Sequence, residues 1–343
     1  MAERYAGRSG VVGGVQEAFI GVRDPVAAIR HWERFGYRVG PAGQLAADAA
    51  RTLYGVDSPL HSVRLLHQDA DQGLLRLMVW DRPAGPGLGT GPWRVQGNRW
   101  LACLTDDILN IANHAEVLRA QGGPIGFVDP VHVPPQRPEA ALRPFDQPVP
   151  ATRQMTLTQP LWRLLCVQVF GGSGRAQPTI NPACLMRTGP AMHFGMVIQD
   201  DRPEILEFYD RTLGLLRATD QSLPYDPSRG APRLLDLREG EWHGLVDFDA
   251  AVAATDPAPV RAARLRVLRF RSASALPDAR RESRPGQLGL SGYCLRVHGL
   301  AALRDRIAAA GAGEVTPVVE DEFGRPACAF VAPDGYHWTA FEA

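Results

Sequence analysis

The sequence predicts an α+β fold made of four repeated βαβββ modules. Four segments of the chain show the same order of a short apolar strand, a helix and further strands. The length of 343 residues is too great for one small core and fits two domains of ordinary size. Hydrophobic residues make up 45% and charged residues 22%, which is typical of a globular protein.

The first and third segments match each other. In the first, the apolar strand 17–22 is followed by a helix over 25–35, with apolar residues on one side. In the third, the strand 193–198 is followed by a helix of the same kind. Both helices are predicted to end at a glycine, Gly36 and Gly214, the residue preferred just after a helix.

The second and fourth segments form another matching pair. A strand over 100–106 leads to a helix that ends at Gly122, and a strand over 293–298 leads to a helix that ends at Gly311. The alternating order of the two patterns indicates two duplicated halves.

The later strands and the loops complete the prediction. Strands are expected at 61–66, 74–80, 155–157, 163–169, 234–237, 265–270, 328–331 and 337–341, and irregular loops at 83–97, 131–150 and 274–287. The Gly- and Pro-containing stretch 171–190 is predicted to be a linker between a domain over 1–170 and a domain over 191–343. The sequence does not decide how the modules pair. Module one could pair with two and three with four, or one with four and two with three.

Charge and cysteine content exclude several classes of protein. Lys plus Arg and Asp plus Glu both number 37, so the chain has no overall field to attract nucleic acid or an anionic membrane. No apolar run reaches membrane-spanning length, and the first residues lack the apolar core of a secretory signal. The five scattered cysteines form no CxxC pair, which disfavours zinc clusters and disulfides. We therefore expect a cytoplasmic protein. The abundance of Arg, Ala, Gly and Pro, with no Lys, indicates a GC-rich bacterial genome.

The last residues of the chain carry the most specific motif. The stretch 320–325 precedes an apolar strand that runs into the turn Pro333-Asp334-Gly335 and a final strand. Together with the fourfold module, and with His193 opening a strand, this hairpin resembles the vicinal-oxygen-chelate superfamily of glyoxalases, bleomycin-resistance proteins and extradiol dioxygenases. The resemblance covers the chain from about residue 15 onward. It implies that pairs of modules fold into two glyoxalase-like incomplete barrels, each around a cavity that usually holds a divalent metal.

The metal positions that the resemblance implies are poorly filled. In the C-terminal half they fall on His193, Gly292 and Thr339, and only the first is a good ligand. In the N-terminal half they fall on Glu17 and Arg99, and a guanidinium cannot bind a metal. No cofactor is therefore expected, a divalent metal is doubtful, and His193 would be its ligand if one is bound.

Strand alternation predicts a metal-free acid–base site in a C-terminal cavity. His193 and His337 would be catalytic, because imidazoles exchange protons near neutral pH. The predicted substrate-binding residues are Arg296, Thr339, Phe341 and, if module one pairs with module four, Glu17. Each also has a structural interpretation; Arg296, for example, could pair with a surface acid such as Glu320.

The resemblance implies a small-molecule enzyme of the lyase or isomerase type, acting on an oxygenated, anionic or aromatic metabolite. The alternative is a metal-free protein that sequesters a ligand such as an antibiotic. A divergent extradiol-type dioxygenase is a third candidate. The expected partner is a small molecule, with a homodimer as a further possibility.

Overall fold

The computed structural model describes residues 11–133, 143, 145–171, 177–199, 202, 204–250, 263–272 and 274–343. Four βαβββ modules follow one another along the chain, as predicted. Module one contains β1 (Val11–Gly21), α1 (Pro25–Arg34), β2 (Tyr37–Leu45), α2 (Ala47–Tyr54), β3 (Leu60–His67) and β4 (Leu74–Trp80). Module two contains β5 (Arg99–Thr105), α3 (Ile108–Ala120), β6 (Gly126–Val133), β7 (Ala151–Thr158) and β8 (Arg163–Phe170).

Modules three and four repeat this layout. Module three contains β9 (Thr188–Gln199), α4 (Ile205–Glu207) continued by a π-helical turn (Phe208–Thr212), β10 (Leu216–Pro224), α5 (Ala231–Leu235), β11 (Trp242–Asp249) and β12 (Arg264–Arg271). Module four contains β13 (Gly289–His298), α6 (Leu300–Ala309), β14 (Val319–Glu320), β15 (Pro326–Val331) and β16 (His337–Glu342). No described helix has the length and apolar character needed to cross a membrane.

The repeated helix ends share one physical cause. Gly36, Gly122, Gly214 and Gly311 all adopt a left-handed backbone with φ between 73° and 86°. Only glycine takes this conformation without steric cost, so each helix of the repeat ends where the sequence predicts. Asp24 caps the start of α1 by accepting a hydrogen bond from the Ala27 amide at 2.9 Å.

Two curled eight-stranded sheets contain the described strands. The first sheet has the order β14-β15-β16-β13-β1-β4-β3-β2, and the second has the order β10-β11-β12-β9-β5-β8-β7-β6. Module one therefore pairs with module four, and module two pairs with module three. The central contacts are antiparallel: β1 lies beside β13 and β5 lies beside β9.

This pairing corrects the expected division of the chain into two successive units. The predicted units 1–170 and 191–343 do not each form a sheet, because each sheet takes one module from either side of 171–190. Alternation along a strand tells which face a side chain occupies, but it does not tell which strand lies alongside. Of the predicted linker, 188–190 belong to β9, and 172–176 lie outside the described residues.

The strand predicted at 234–237 is wrong. This stretch overlaps the helix α5, which begins after Gly230 with Pro232 in its first turn, a position that suits proline. The strand between β10 and β12 is instead β11, which pairs with both. Its inward positions carry His243, Asp247 and Asp249, so the apolar alternation that marks a half-buried strand is interrupted.

One large core joins the two sheets. It contains the outward faces of the central strands and the first helix of each module, α1, α3, α4 and α6. Three buried tyrosines of modules one and four form hydrogen bonds with the backbone of β9 in the second sheet. The Tyr293 hydroxyl donates to the Gly195 carbonyl at 2.5 Å, Tyr336 donates to Val197 at 2.5 Å, and Tyr37 accepts from the Ala191 amide at 3.0 Å. These bonds fix the sheets against each other.

The module pairing predicts how the chain behaves when it is cut. Fragments 1–170 and 191–343, expressed separately, should each fail to fold, because each leaves two half-sheets with exposed central edges. Coexpression of the two fragments should restore a folded complex. Size-exclusion chromatography and circular dichroism would detect this. A fragment that is monomeric and cooperatively folded alone would contradict the pairing.

Candidate functional site

The structure divides the predicted site between the two sheets. Thr339, Phe341, Arg296, His337 and Glu17 belong to the first sheet, whereas His193 lies on β9 of the second. The expected single C-terminal cavity is therefore wrong, because modules three and four do not share a sheet. The catalytic roles assigned to these residues stay predictions.

Alternation along the strands divides the side chains of both sheets between two faces. Phe194, Met196 and Ile198 pack in the large core, and Val197 belongs to a separate apolar cluster on the inner face of the second sheet. Trp338 likewise packs in the large core, and Phe341 lies on the inner face of the first sheet. We call these two inner faces the first cup and the second cup.

In the first cup, the strand register brings predicted residues into one row. Glu17 lies opposite Cys294, and Cys294 lies opposite Thr339. Paired positions on neighbouring strands project from the same face, so all three side chains point into the cup. The proximity of Glu17 to Thr339 that follows from pairing modules one and four is thus present.

A buried network of charges fills this cup. Arg76 of β4 is 1% exposed and lies between two carboxylates: it bonds to Glu17 through Nη2 and to Glu322 through Nη1, the latter at 2.9 Å. Arg64 adds a two-pronged contact to Glu17, at 2.7 and 3.1 Å. Glu322 also accepts hydrogen bonds from Tyr54 at 2.8 Å and from Ser62 at 2.7 Å. Each carboxylate thereby accepts charge-assisted or hydroxyl hydrogen bonds from several side chains of module one.

Aromatic rings enclose the guanidinium groups. Arg76 lies 4.7 Å from the centre of the Phe19 ring and 4.9 Å from that of Phe323. Arg325 lies 3.7 Å from the centre of the Phe341 ring and pairs with Asp321 at 2.7 Å. The ring faces attract the cations, so Phe341 is part of the wall that holds the network.

The donor set of the first cup does not fit a divalent metal. Burial alone would raise the pKa of Glu17, but the positive charges of Arg76 and Arg64 lower this pKa to about 2. The carboxylate is therefore ionised and already bound by guanidinium groups. A metal ion here would have to approach the cation of Arg76, while Cys294, the neighbouring thiol, has its pKa raised to about 12 by burial. Among described residues, no cluster of three or more His, Cys, Asp or Glu side chains is arranged to hold a metal.

His337 and Arg296 lie away from this network. His337 is 5% exposed, and burial together with the nearby cations Arg99 and Arg284 lowers its pKa to about 3. Its Nδ1 has no partner among the described residues, and its carbonyl accepts a bond from Arg99 at 2.7 Å. Arg296 contacts Asp71 at 3.5 Å near the surface, so an acid other than Glu320 takes the pairing role.

The second cup contains His193 among charged pairs. His193 is 3% exposed, and neither ring nitrogen has a partner in the described part of the chain. Its strand lies beside β12, which carries Arg264 and Arg266. Arg266 binds Asp247 with two hydrogen bonds of 2.6 and 2.8 Å. Burial first, and then Arg266, hold the pKa of His193 well below its ordinary value, while Asp247 acts in the opposite direction, so the imidazole is neutral.

Apolar side chains fill the rest of the second cup. Trp100 packs against Trp93, and a Cβ atom at Gly195 would lie 1.8 Å from the Trp100 ring. Leu234 and Leu235 of α5 cover the same cluster. His193 and His243 both face this cup, but they lie beside Arg264 and Phe270, at opposite ends of β12. Two separated imidazoles with apolar walls and ion-paired carboxylates do not supply the ligand set of a divalent metal either.

Sequence reasoning missed Arg76, Glu322 and Asp247. A signal existed for Arg76, because a lone arginine interrupts the apolar strand 74–80, and an arginine buried there must find a carboxylate. Glu322 lies in the quoted stretch 320–325, but its partners come from the opposite end of the chain. Asp247 lies in the strand that was not predicted.

The fold is shared with known structures. Glyoxalase I from Zea mays superposes with a TM-score of 0.54 at 12% identity, over 96% of this chain and 92% of that chain. A proposed dioxygenase from Bacillus subtilis superposes with a TM-score of 0.55 at 12% identity, over 97% of this chain and 86% of that chain. No protein-family model and no curated protein matches the sequence. The predicted resemblance to the glyoxalase and dioxygenase superfamily is confirmed at the level of the fold.

The charge network of the first cup predicts a large stability effect. Replacement Arg76→Met should lower the free energy of unfolding by about 3–5 kcal/mol, because it leaves two buried carboxylates without their shared cation. Urea unfolding followed by circular dichroism measures this. Arg51→Met is the matched control: Arg51 pairs with Asp48 and Asp57 on the surface, and its loss should change stability little. A small effect of Arg76→Met would mean that the network is not formed in solution.

Proposed function

We propose that this protein is a small-molecule enzyme of the lyase or isomerase type, and that it binds an oxygenated metabolite in the second cup at His193. The observation that carries the proposal is a buried imidazole whose two nitrogens have no partner among the described residues. A buried polar group without a partner costs free energy, so a ligand that hydrogen-bonds to it gains binding energy. A carbonyl or carboxylate oxygen is a suitable acceptor for the imidazole N–H.

The neutral state of His193 suits one kind of chemistry. An imidazole whose pKa is held low donates a hydrogen bond to a carbonyl without first losing or gaining a proton. Such a donor stabilises the negative charge that develops on the carbonyl oxygen when water or hydroxide takes a proton from the adjacent carbon. This is the common step of many isomerisations and eliminations, and it requires no metal.

The first cup is a weaker candidate for the site. Its carboxylates and guanidinium groups bind one another, and three rings, Phe19, Phe323 and Phe341, lie against the cations. A substrate would have to displace this network. We therefore assign Glu17, Thr339 and Phe341 to the closed first cup rather than to substrate binding.

A second candidate function is sequestration of a ligand without turnover. This function is favoured by the low pKa of Asp247, the carboxylate whose charge acts on His193. Burial would raise the pKa of Asp247, but Arg266 lowers it to about 2, and a carboxylate with this pKa is a weak base. Binding at His193 is common to both functions, and proton transfer distinguishes them.

The donor sets predict that the purified protein keeps no metal. Incubation with Fe(II), Mn(II), Zn(II) or Ni(II), followed by desalting and elemental analysis, should leave well below one metal ion per chain. One retained ion per chain that is lost in His193→Gln would contradict this expectation. It would mean that His193 is part of a metal site in the second cup.

The role of His193 can be tested with simple oxygenated acids. The protein would be incubated in D2O with aliphatic 2-oxo acids, aromatic 2-oxo acids and 2-hydroxy acids, and proton NMR would follow exchange of the hydrogen on the carbon next to the carbonyl or carboxyl group. We expect exchange for at least one compound, reduced about 100-fold or more in His193→Gln, the usual range for loss of a hydrogen-bond donor to a developing oxyanion. His114→Gln, at an exposed position of α3, is the matched control.

The outcomes of this test separate the two functions. Binding by calorimetry without exchange, lost in His193→Gln, supports sequestration. Exchange that persists unchanged in His193→Gln overturns the assignment of the site to the second cup.

A further inference from the structure

A small cavity at the junction of the two sheets is lined by two buried arginines. Arg99 begins β5 and is 1% exposed, and Arg163 begins β8 and is 3% exposed. Gly89, Leu161 and Gly289 contribute to the walls, and the volume is about 10 Å³. This is the space that one water-sized particle requires.

Arg99 has an incomplete set of partners. Its Nη2 donates to the His337 carbonyl at 2.7 Å, and its Nε donates to the Ser283 carbonyl at 3.4 Å. The Nη1 atom is buried and has no partner among the described residues. The rings of Tyr293 and Tyr336, each centred 4.8 Å from the guanidinium carbon, are the flanking surfaces.

Arg163 likewise bonds to carbonyl oxygens. It donates to Pro92 at 2.8 Å and to Gly89 at 3.3 Å. Burial lowers its pKa to about 10, so it still carries its charge near neutral pH. No carboxylate of the described residues lies within ion-pair distance of Arg99 or Arg163. Two other arginines differ: Arg76, which is equally buried, and Arg94, which is partly buried, each contact a glutamate.

Two buried cations beside one cavity favour the binding of a negative charge there. Carbonyl dipoles offset part of the cost of removing a guanidinium from water, but an opposite charge offsets far more. The cavity is open to ions of water-like size and too small for a carboxylate or a phosphate group. We propose that it binds a single monatomic anion of the chloride class, held between Arg99 and Arg163.

The position of the cavity gives such an anion a structural role. Arg99 and Arg163 belong to the second sheet, whereas Gly289 begins β13 of the first sheet. The anion would therefore neutralise charge at the junction that the buried tyrosines also bridge. This proposal is independent of the proposed function, because the cavity does not include His193.

The test is the dependence of the unfolding temperature on chloride. The full chain would be heated in potassium gluconate, replaced stepwise by potassium chloride at constant ionic strength. We expect a saturable rise of about 2–4 °C between 1 and 300 mM chloride, as for one anion bound only by the folded state. Arg163→Met should abolish the rise. Arg94→Met, which removes a partly buried arginine that has its own glutamate, should keep it.

A second measurement locates the ion and does not depend on a variant that folds. Crystals of the unaltered protein grown in sodium bromide should show an anomalous scattering peak in the cavity beside Arg99 Nη1. A cavity that holds water alone overturns the proposal. A chloride effect that is absent from the unaltered chain, or equally large in Arg163→Met, overturns it as well.

Discussion

The rest of the structure depends on the antiparallel contact between strands that are far apart in the chain. β1 pairs with β13, and β5 pairs with β9, so each sheet is completed only when module one meets module four and module two meets module three. The inner surface of each sheet is consequently assembled from two distant stretches of sequence. Because the sheets also share one large core, neither half of the chain has a complete interior of its own.

The charge network of the first cup is a direct result of that pairing. Glu17 and Arg76 come from module one, whereas Glu322 and Arg325 come from module four. The charges of module four reach those of module one only when β1 lies beside β13. Each ion is costly to bury by itself, and the ions become stable together through short charge-assisted hydrogen bonds and ring contacts. The guanidinium of Arg76 thus lies between the two carboxylates on the inner surface, and the cup is closed by its own side chains.

The two cups consequently offer different chemistry. In the first, every charged side chain of the network has a partner of opposite sign, so the cup contributes to stability and to the specificity of module pairing. In the second, the ion pairs of β11 and β12 stand beside a neutral imidazole whose nitrogens are unpartnered among the described residues. A ligand gains more from the second environment, since it satisfies groups that the chain itself leaves unsatisfied.

By itself the sequence determined the modules, the ends of their helices and the face on which each predicted residue lies. These features follow from local physics: a left-handed glycine ends each helix, and side chains alternate along each strand. Local pattern did not reveal β11, whose inward residues are polar, or α5, whose leucines are buried by a distant strand. Only the tertiary structure decided that His193 is separated from His337 and that Glu17 joins Thr339, Arg76 and Glu322. The physical reason is that alternation specifies a face, whereas the partner strand is selected by packing and charge between residues that are hundreds of positions apart.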